Sequence, residues 1–181
     1  MPPGKGNVTM DINKYSPKYR IRQTDLLRLA DLTTEEIFEF LYVARALKKR
    51  FRVGENKPLL RGRTIGLLFG NASTRTHVSF EMGIRQLGGD YLFLPKNETQ
   101  LSRGESIKDT AVMLGRYGIS ALVLRAFTMA EVEEFAHYSD IPVINGISDE
   151  AHPLQVLSDL FTAWEQKGRL DNLKIAYIGD G

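Results

Sequence analysis

Short β-rich apolar runs alternate with helical patterns along most of this chain, and that alternation constrains the fold more than any other feature. Thr64–Phe69, Tyr91–Leu94, Ala121–Leu124, Pro142–Ile144 and Lys174–Ile178 read as strands. Helical spacing covers residues 34–52, where Ile37, Phe40, Leu41, Ala44 and Leu47 recur, and then Thr76–Leu87, Ser106–Tyr117, Met129–Tyr138 and Pro153–Gln166. Several helix starts carry their own chemistry: Thr33 with Glu36, Ser106 with Asp109, Thr128 with Glu131, and Pro153 at a first helical position. The pattern predicts an α/β domain with a mainly parallel sheet flanked by helices on both faces. Its last strand runs into Gly179-Asp180-Gly181 with no crossover helix after it. The expectation is therefore a chain truncated at the start of a second α/β domain: an arm over 1–23, a domain over 24–166, and the first strand of the next domain over 167–181.

Composition narrows the function classes. A hydrophobic fraction of 43% with 25% charged residues is that of an ordinary globular chain. No apolar run approaches the length of a membrane span, and the opening Met1-Pro2-Pro3-Gly4 lacks the apolar core of a secretory signal. Cysteine is absent, which removes thiol catalysis and thiolate metal sites and fits a cytoplasmic location. With three histidines in all, there is little material for a metal centre. The first 60 residues are net basic, but Arg45, Lys48, Lys49, Arg50 and Arg52 fall near a helix end, where cations complement the helix dipole. Nothing in the chain resembles a nucleic-acid-binding module.

In a parallel sheet, ligands collect at the carboxyl ends of the strands. The first strand leads into Ser73-Thr74-Arg75-Thr76 at the start of a helix, a concentration of hydroxyls, a guanidinium and free N–H groups suited to an oxyanion. A capping serine and a solvated arginine would explain the same residues blandly. The third strand ends at Arg125, which faces a ligand or snorkels to solvent. The fourth ends at Asn145-Gly146 and leads to His152-Pro153-Leu154-Gln155. There His152 caps a helix, Gln155 lies one turn in, and Asp159 one turn further. Two arginines, hydroxyls, one histidine and one amide favour binding a small anion and polarising a carbonyl by hydrogen bonds.

Taken together, Ser73-Thr74-Arg75-Thr76, Gln100-Leu101-Ser102-Arg103-Gly104-Glu105-Ser106, Asp109-Thr110, Arg125 and His152-Pro153-Leu154-Gln155 resemble, in order and spacing, the carbamoyltransferase family. From about residue 24 onward the chain is similar to that family's carbamoyl-phosphate-binding half. Leu87-Gly88-Gly89 and Pro142-Val143-Ile144-Asn145-Gly146 lean toward the ornithine branch rather than the aspartate branch. The resemblance implies that Ser73, Thr74, Arg75 and Thr76 cradle the phosphate. It implies that Thr76, Arg125 and His152 bond the carbonyl oxygen and act in catalysis, and that Gln155 bonds the amide nitrogen. It further implies a homotrimer in which the Gln100 loop reaches a neighbouring subunit, an amino-acid amine bound by a second domain, and no cofactor or metal. By the same reasoning, this fragment alone should be inactive.

Departures from the family pattern are Gly70-Asn71-Ala72 ahead of the motif, His77 where a second arginine usually stands, and Leu154 where many ornithine enzymes carry cysteine. Aspartate, putrescine or an acylated ornithine stays open as the amine. Two further classes also stay open: a phosphate- or nucleotide-binding module without chemistry, and a trimer-forming scaffold with a degenerate anion site.

Overall fold

Thr64–Phe69 is apolar from its second residue to its last, and those five residues are buried, as expected of a strand covered on both faces. In the computed structural model of the protein it is β1, a central strand. The structure describes residues 10–176, 178 and 179. β2 (Asp90–Pro95) and β3 (Ile119–Phe127) flank β1, and β4 (Val143–Ser148) lies beyond β3. All three pairings are parallel, in the order β2-β1-β3-β4. The helices are α1 (Thr34–Arg52), α2 (Thr74–Gln86), α3 (Ile107–Arg116), α4 (Met129–Tyr138) and α5 (Pro153–Lys167).

Strand periodicity sends alternate residues to opposite cores. Leu68, Leu122 and Leu124 point to a cluster closed by Ala111 and Leu114 of α3 and by Val132 and Phe135 of α4. Ile65, Leu67 and Val123 point the other way, onto Ile84 and Phe80 of α2. Each such aliphatic side chain contributes about 1.5–3 kcal/mol when fully buried, so two-sided burial is the main force holding the sheet between its helices. A third cluster joins α1 to α5 through Phe38, Leu41 and Trp164, with Ile12 of the lead-in inserted between them.

The expected caps of α1, α3 and α4 are present. Thr33 and Glu36 form a reciprocal capping box, as do Thr128 and Glu131, and Ser106 accepts from the Asp109 N–H. The basic residues of α1 serve helix packing: the Arg45 guanidinium lies over the rings of Tyr42 and Trp164, and Lys48 pairs with Glu165 of α5.

The lead-in is more structured than an arm. Glu39, only 2% exposed, accepts from the Tyr15 hydroxyl and from the Lys18 and Tyr19 N–H groups. Burial pushes its carboxyl up, but these bonds outweigh it and hold the group below its usual range, while Tyr15 is pushed up to about 12 by the same hydrogen bond. Leu26 covers the outer edge of β4, donating to Val143 and accepting from Asn145.

Four expectations change. α2 begins at Thr74 rather than Thr76, because Ser73 rather than a later residue takes the cap position. β3 continues past Arg125 to Phe127, since Phe69 and Arg125 still pair and the ladder to β4 resumes after a bulge. β4 runs through Asn145-Gly146 to Ser148. No strand forms over 174–176 or at Ile178; Ile175 is 83% and Ile178 96% exposed, and an apolar run becomes a strand only against a partner. Tyr177, Asp180, Gly181 and the first nine residues of the expected arm lie outside the described residues.

Candidate functional site

β1 and β3 are neighbours whose following helices lie on opposite faces of the sheet, so a crevice opens at their carboxyl ends. The chain leaves β1 through Gly70, whose N–H donates to the Arg125 carbonyl at 2.8 Å. A Cβ at Gly70 would stand 2.6 Å from the Ala126 carbonyl oxygen, so only glycine lets the two strand ends meet there. Opposite it, Ala126 has a left-handed φ of 62°, and the β3–β4 register shifts on both sides of Arg125. Arg125 itself stays in register with Phe69 of β1, so the irregularity lies on the β4 side and just beyond it.

Ser73 is the N-cap of α2, yet its side chain makes no capping bond, and the first helical bond runs from the His77 N–H to the Ser73 carbonyl. The N–H groups of Thr74, Arg75 and Thr76 thus belong to the unbonded first turn, where the helix dipole favours an anion. On the far wall, His152 caps α5 by position but not by side chain, with Pro153 following it. The loop ahead of it is held by buried Asn145, whose amide donates to the Leu27 carbonyl and lies near Ser148 and the Ala151 carbonyl.

These elements enclose a cleft of about 690 Å³ lined by Ser73, Thr74, Arg75, Thr76, Arg125, His152 and Gln155. Seven of the eight expected binding residues therefore converge. Gln100 does not: it sits exposed on a 3-10 turn, Gln100–Arg103, outside the cleft. Ser79, Phe80 and Ser158 also line the cleft and were missed. Their signal was helical spacing, since Ser79 and Ser158 lie three residues after Thr76 and Gln155 on the same helices. Leu154 and Ala72 line it as well. Asn145 is a framework residue rather than a ligand-facing one.

Arg125 Nε and Nη1 and His152 Nδ1 are buried without a protein partner among the described residues. Each such group costs about 1–3 kcal/mol if left unpaired, so the cleft walls favour a ligand that bears oxygen. Burial and the neighbouring charge of Arg75 both lower the Arg125 pKa, while an arginine stays charged throughout. Two guanidinium groups facing one cleft repel each other unless an anion lies between them. Burial, and then the Arg125 charge, lower the His152 pKa, with Asp159 opposing them. His152 is thus a neutral imidazole at pH 7, able to hydrogen-bond a carbonyl without adding a third charge.

His77 stacks on Phe93 with ring centroids 3.9 Å apart, on the sheet side of α2 and outside the cleft lining. Among the described residues no cluster of three or more His, Asp or Glu residues converges as metal ligands would, and no helix is long and apolar enough to cross a membrane.

Residues 24–165 match the family model described as aspartate/ornithine carbamoyltransferase, carbamoyl-P binding domain. An ornithine carbamoyltransferase of Caldicellulosiruptor saccharolyticus is 53% identical over 155 residues, covering 86% of this chain and 50% of that protein. The structure of ornithine carbamoyltransferase from Pyrococcus furiosus superposes with a TM-score of 0.77 at 46% identity, covering 80% of this chain and 46% of that one. The catalytic subunit of M. jannaschii aspartate transcarbamoylase superposes almost as well, with a TM-score of 0.75, but at 31% identity, covering 81% and 48%. The chain spans about half the length of the curated relatives it matches.

Proposed function

We propose a function from the premise that this chain belongs to the aspartate/ornithine carbamoyltransferase family, over residues 24–165. The cleft between β1, β3 and α5 binds carbamoyl phosphate for transfer of its carbamoyl group to the amine of ornithine, giving citrulline and phosphate. The observation that carries this reading is the convergence, on one wall, of an unbonded helix N-terminus with Arg75 and, on the other, of the partnerless donors of Arg125 and His152. The first wall suits a phosphate, and the second a carbonyl oxygen a few bonds away.

In this reading Ser73, Thr74, Arg75 and Thr76 take the phosphate. Thr76, Arg125 and His152 take the carbonyl oxygen, and Gln155 takes the carbamoyl nitrogen. As the neutral amine attacks, a C–N bond forms, charge collects on the carbonyl oxygen, and the C–O bond to phosphate breaks with its electron pair leaving on phosphate, which takes up the proton that the amine nitrogen loses. Donors already aimed at that oxygen stabilise the transition state more than the ground state. One such donor is worth about 3 kcal/mol, on the order of a hundredfold in rate. Arg75 offsets the charge of the leaving phosphate. No cofactor enters this scheme.

Ornithine is favoured over aspartate by identities of 45–53% to curated ornithine enzymes; among solved structures, ornithine enzymes run from 33% to 46% and the aspartate enzyme stands at 31%. The amine is bound by a second domain that begins near residue 167, and the lead-in, the carbamoyl-phosphate domain and that start form the three parts of the chain. Gln100, exposed and outside its own cleft, reaches the cleft of a neighbouring subunit in a homotrimer. The protein works in the cytoplasm without nucleic acid or membrane.

Arg75→Ala tests the assignment. Arg75 is exposed at the first turn of α2, so its loss leaves the fold intact. Affinity for carbamoyl phosphate should fall by about a hundredfold, as expected for a lost charge-assisted contact of about 3 kcal/mol. Unchanged affinity, measured by calorimetric titration, overturns the role of this loop.

A further inference from the structure

The amide of Gln155 has two unlike ends, an acceptor oxygen and a donor NH2, and which end a ligand meets is decided by what the other end bonds. Gln155 Nε2 donates to Asp159 Oδ1 at 2.9 Å, across one turn of α5. An ionised carboxylate only accepts, so it takes one of the two N–H groups, fixes which side of the amide carries the NH2, and turns Oε1 away from itself. Gln155 lines the cleft and Asp159 does not, which leaves Oε1 as the end available to a ligand. Asp159 also favours the charged form of His152, so its field reaches the N-cap residue of α5 in the cleft.

We propose that Asp159 is a positioning and specificity-determining residue, which orients the Gln155 amide so that the cleft presents an acceptor to the group beside the bound carbonyl. The proposal rests on the carbamoyl phosphate reading above and deepens it. A carbamoyl NH2 donates to Oε1. An acetyl methyl group cannot, and it leaves a polar atom facing apolar surface. A carboxyl oxygen in the same place sets two acceptors against each other. The site therefore selects a carbamoyl group over acyl groups of nearly the same shape. The selection comes from the orientation of one amide rather than from cleft size.

Asp159→Asn removes the constraint at constant size, because asparagine accepts from Nε2 or donates to Oε1 and so allows both amide orientations. Asp159 is exposed, and the substitution leaves the packing of α5 unchanged. The measurement is titration of wild-type, Asp159→Asn and Asp159→Glu protein with carbamoyl phosphate, acetyl phosphate and inorganic phosphate. Wild type prefers carbamoyl over acetyl phosphate. In Asp159→Asn that preference falls by about tenfold, the scale of one oriented hydrogen bond, with inorganic phosphate affinity unchanged. Asp159→Glu, which keeps an acceptor-only group, recovers part of it. A preserved preference in Asp159→Asn overturns the role of Asp159 alone, as does an equal loss of all three ligands, which marks a structural effect. No carbamoyl preference in wild type overturns the reading of the cleft and this proposal with it.

Discussion

Arg125, His152 and Arg75 line one cleft but differ in charge and burial. Arg75 is exposed at a helix start, whereas Arg125 has two buried nitrogens without protein acceptors among the described residues. His152 is set by its surroundings to be neutral: burial first, then the Arg125 charge, lower its pKa from the ordinary 6.5. The sign of the linked stability follows. Below about pH 6.5 the unfolded chain takes up a proton at this histidine while the folded chain resists it. Folding stability carried by neutral His152 is therefore complete above that pH and is lost as the pH falls below it. Denaturant titrations from pH 7.5 to 5.5 should show a decline that is shallower in His152→Gln; equal slopes would show that His152 titrates alike in both states. At this scale the sequence was a good guide where chemistry is local. Arg125 was placed by the apolar run before it and His152 by the proline after it. Ser79 and Ser158 went unnoticed because a serine inside a helix reads as an ordinary exposed residue, and each does make a bond back to the preceding turn.

Among the elements, the turn from β1 into α2 has the tightest constraints. Gly70 was a departure from the family pattern when judged by sequence, and its reason is steric: the β1 end passes so close to the Ala126 carbonyl that a methyl group would sit 2.6 Å from it. The obstacle is backbone, which cannot rotate away as a side chain does. Gly70→Ala should therefore push apart the Ser73–Thr76 turn and the Arg125 bulge, lowering carbamoyl phosphate affinity and destabilising the fold by about 1–3 kcal/mol. Urea unfolding and ligand titration on the same variant check both parts; wild-type values for both would mean that the strand ends separate without cost. Helix starts were legible because capping residues announce them, and α1 and α4 have the bounds expected from Thr33 and Thr128. Strand ends were less so. β3 and β4 extend beyond their apolar runs because the partner strand, not the residue type, decides how far a ladder continues. Residues 174–176 and Ile178 form no strand for the converse reason: Ile175 and Ile178 have no strand beside them among the described residues.

For the whole molecule, the order β2-β1-β3-β4 places the crevice where a parallel sheet changes winding direction, and the two cores fix both walls at once. The two-sided burial of the sheet could be inferred from its strands. The clasp of the lead-in on α1 and α5 could not, because it depends on one buried carboxylate, Glu39, meeting backbone N–H groups twenty residues away. Gln100 shows the same limit: its motif is readable, but its place outside the cleft emerges only from the fold. The central claim is that this cleft recognises both ends of carbamoyl phosphate, the phosphate by α2 and the carbamoyl group by Arg125, His152 and Gln155. Thermal unfolding with carbamoyl phosphate, inorganic phosphate or ATP tests it most directly. Carbamoyl phosphate at about a hundred times its dissociation constant should add roughly 2.7 kcal/mol of stability. The account predicts a clear shift with carbamoyl phosphate, a smaller one with phosphate at the same concentration, and none with ATP. Equal shifts with carbamoyl phosphate and phosphate, or a larger one with ATP, would contradict it.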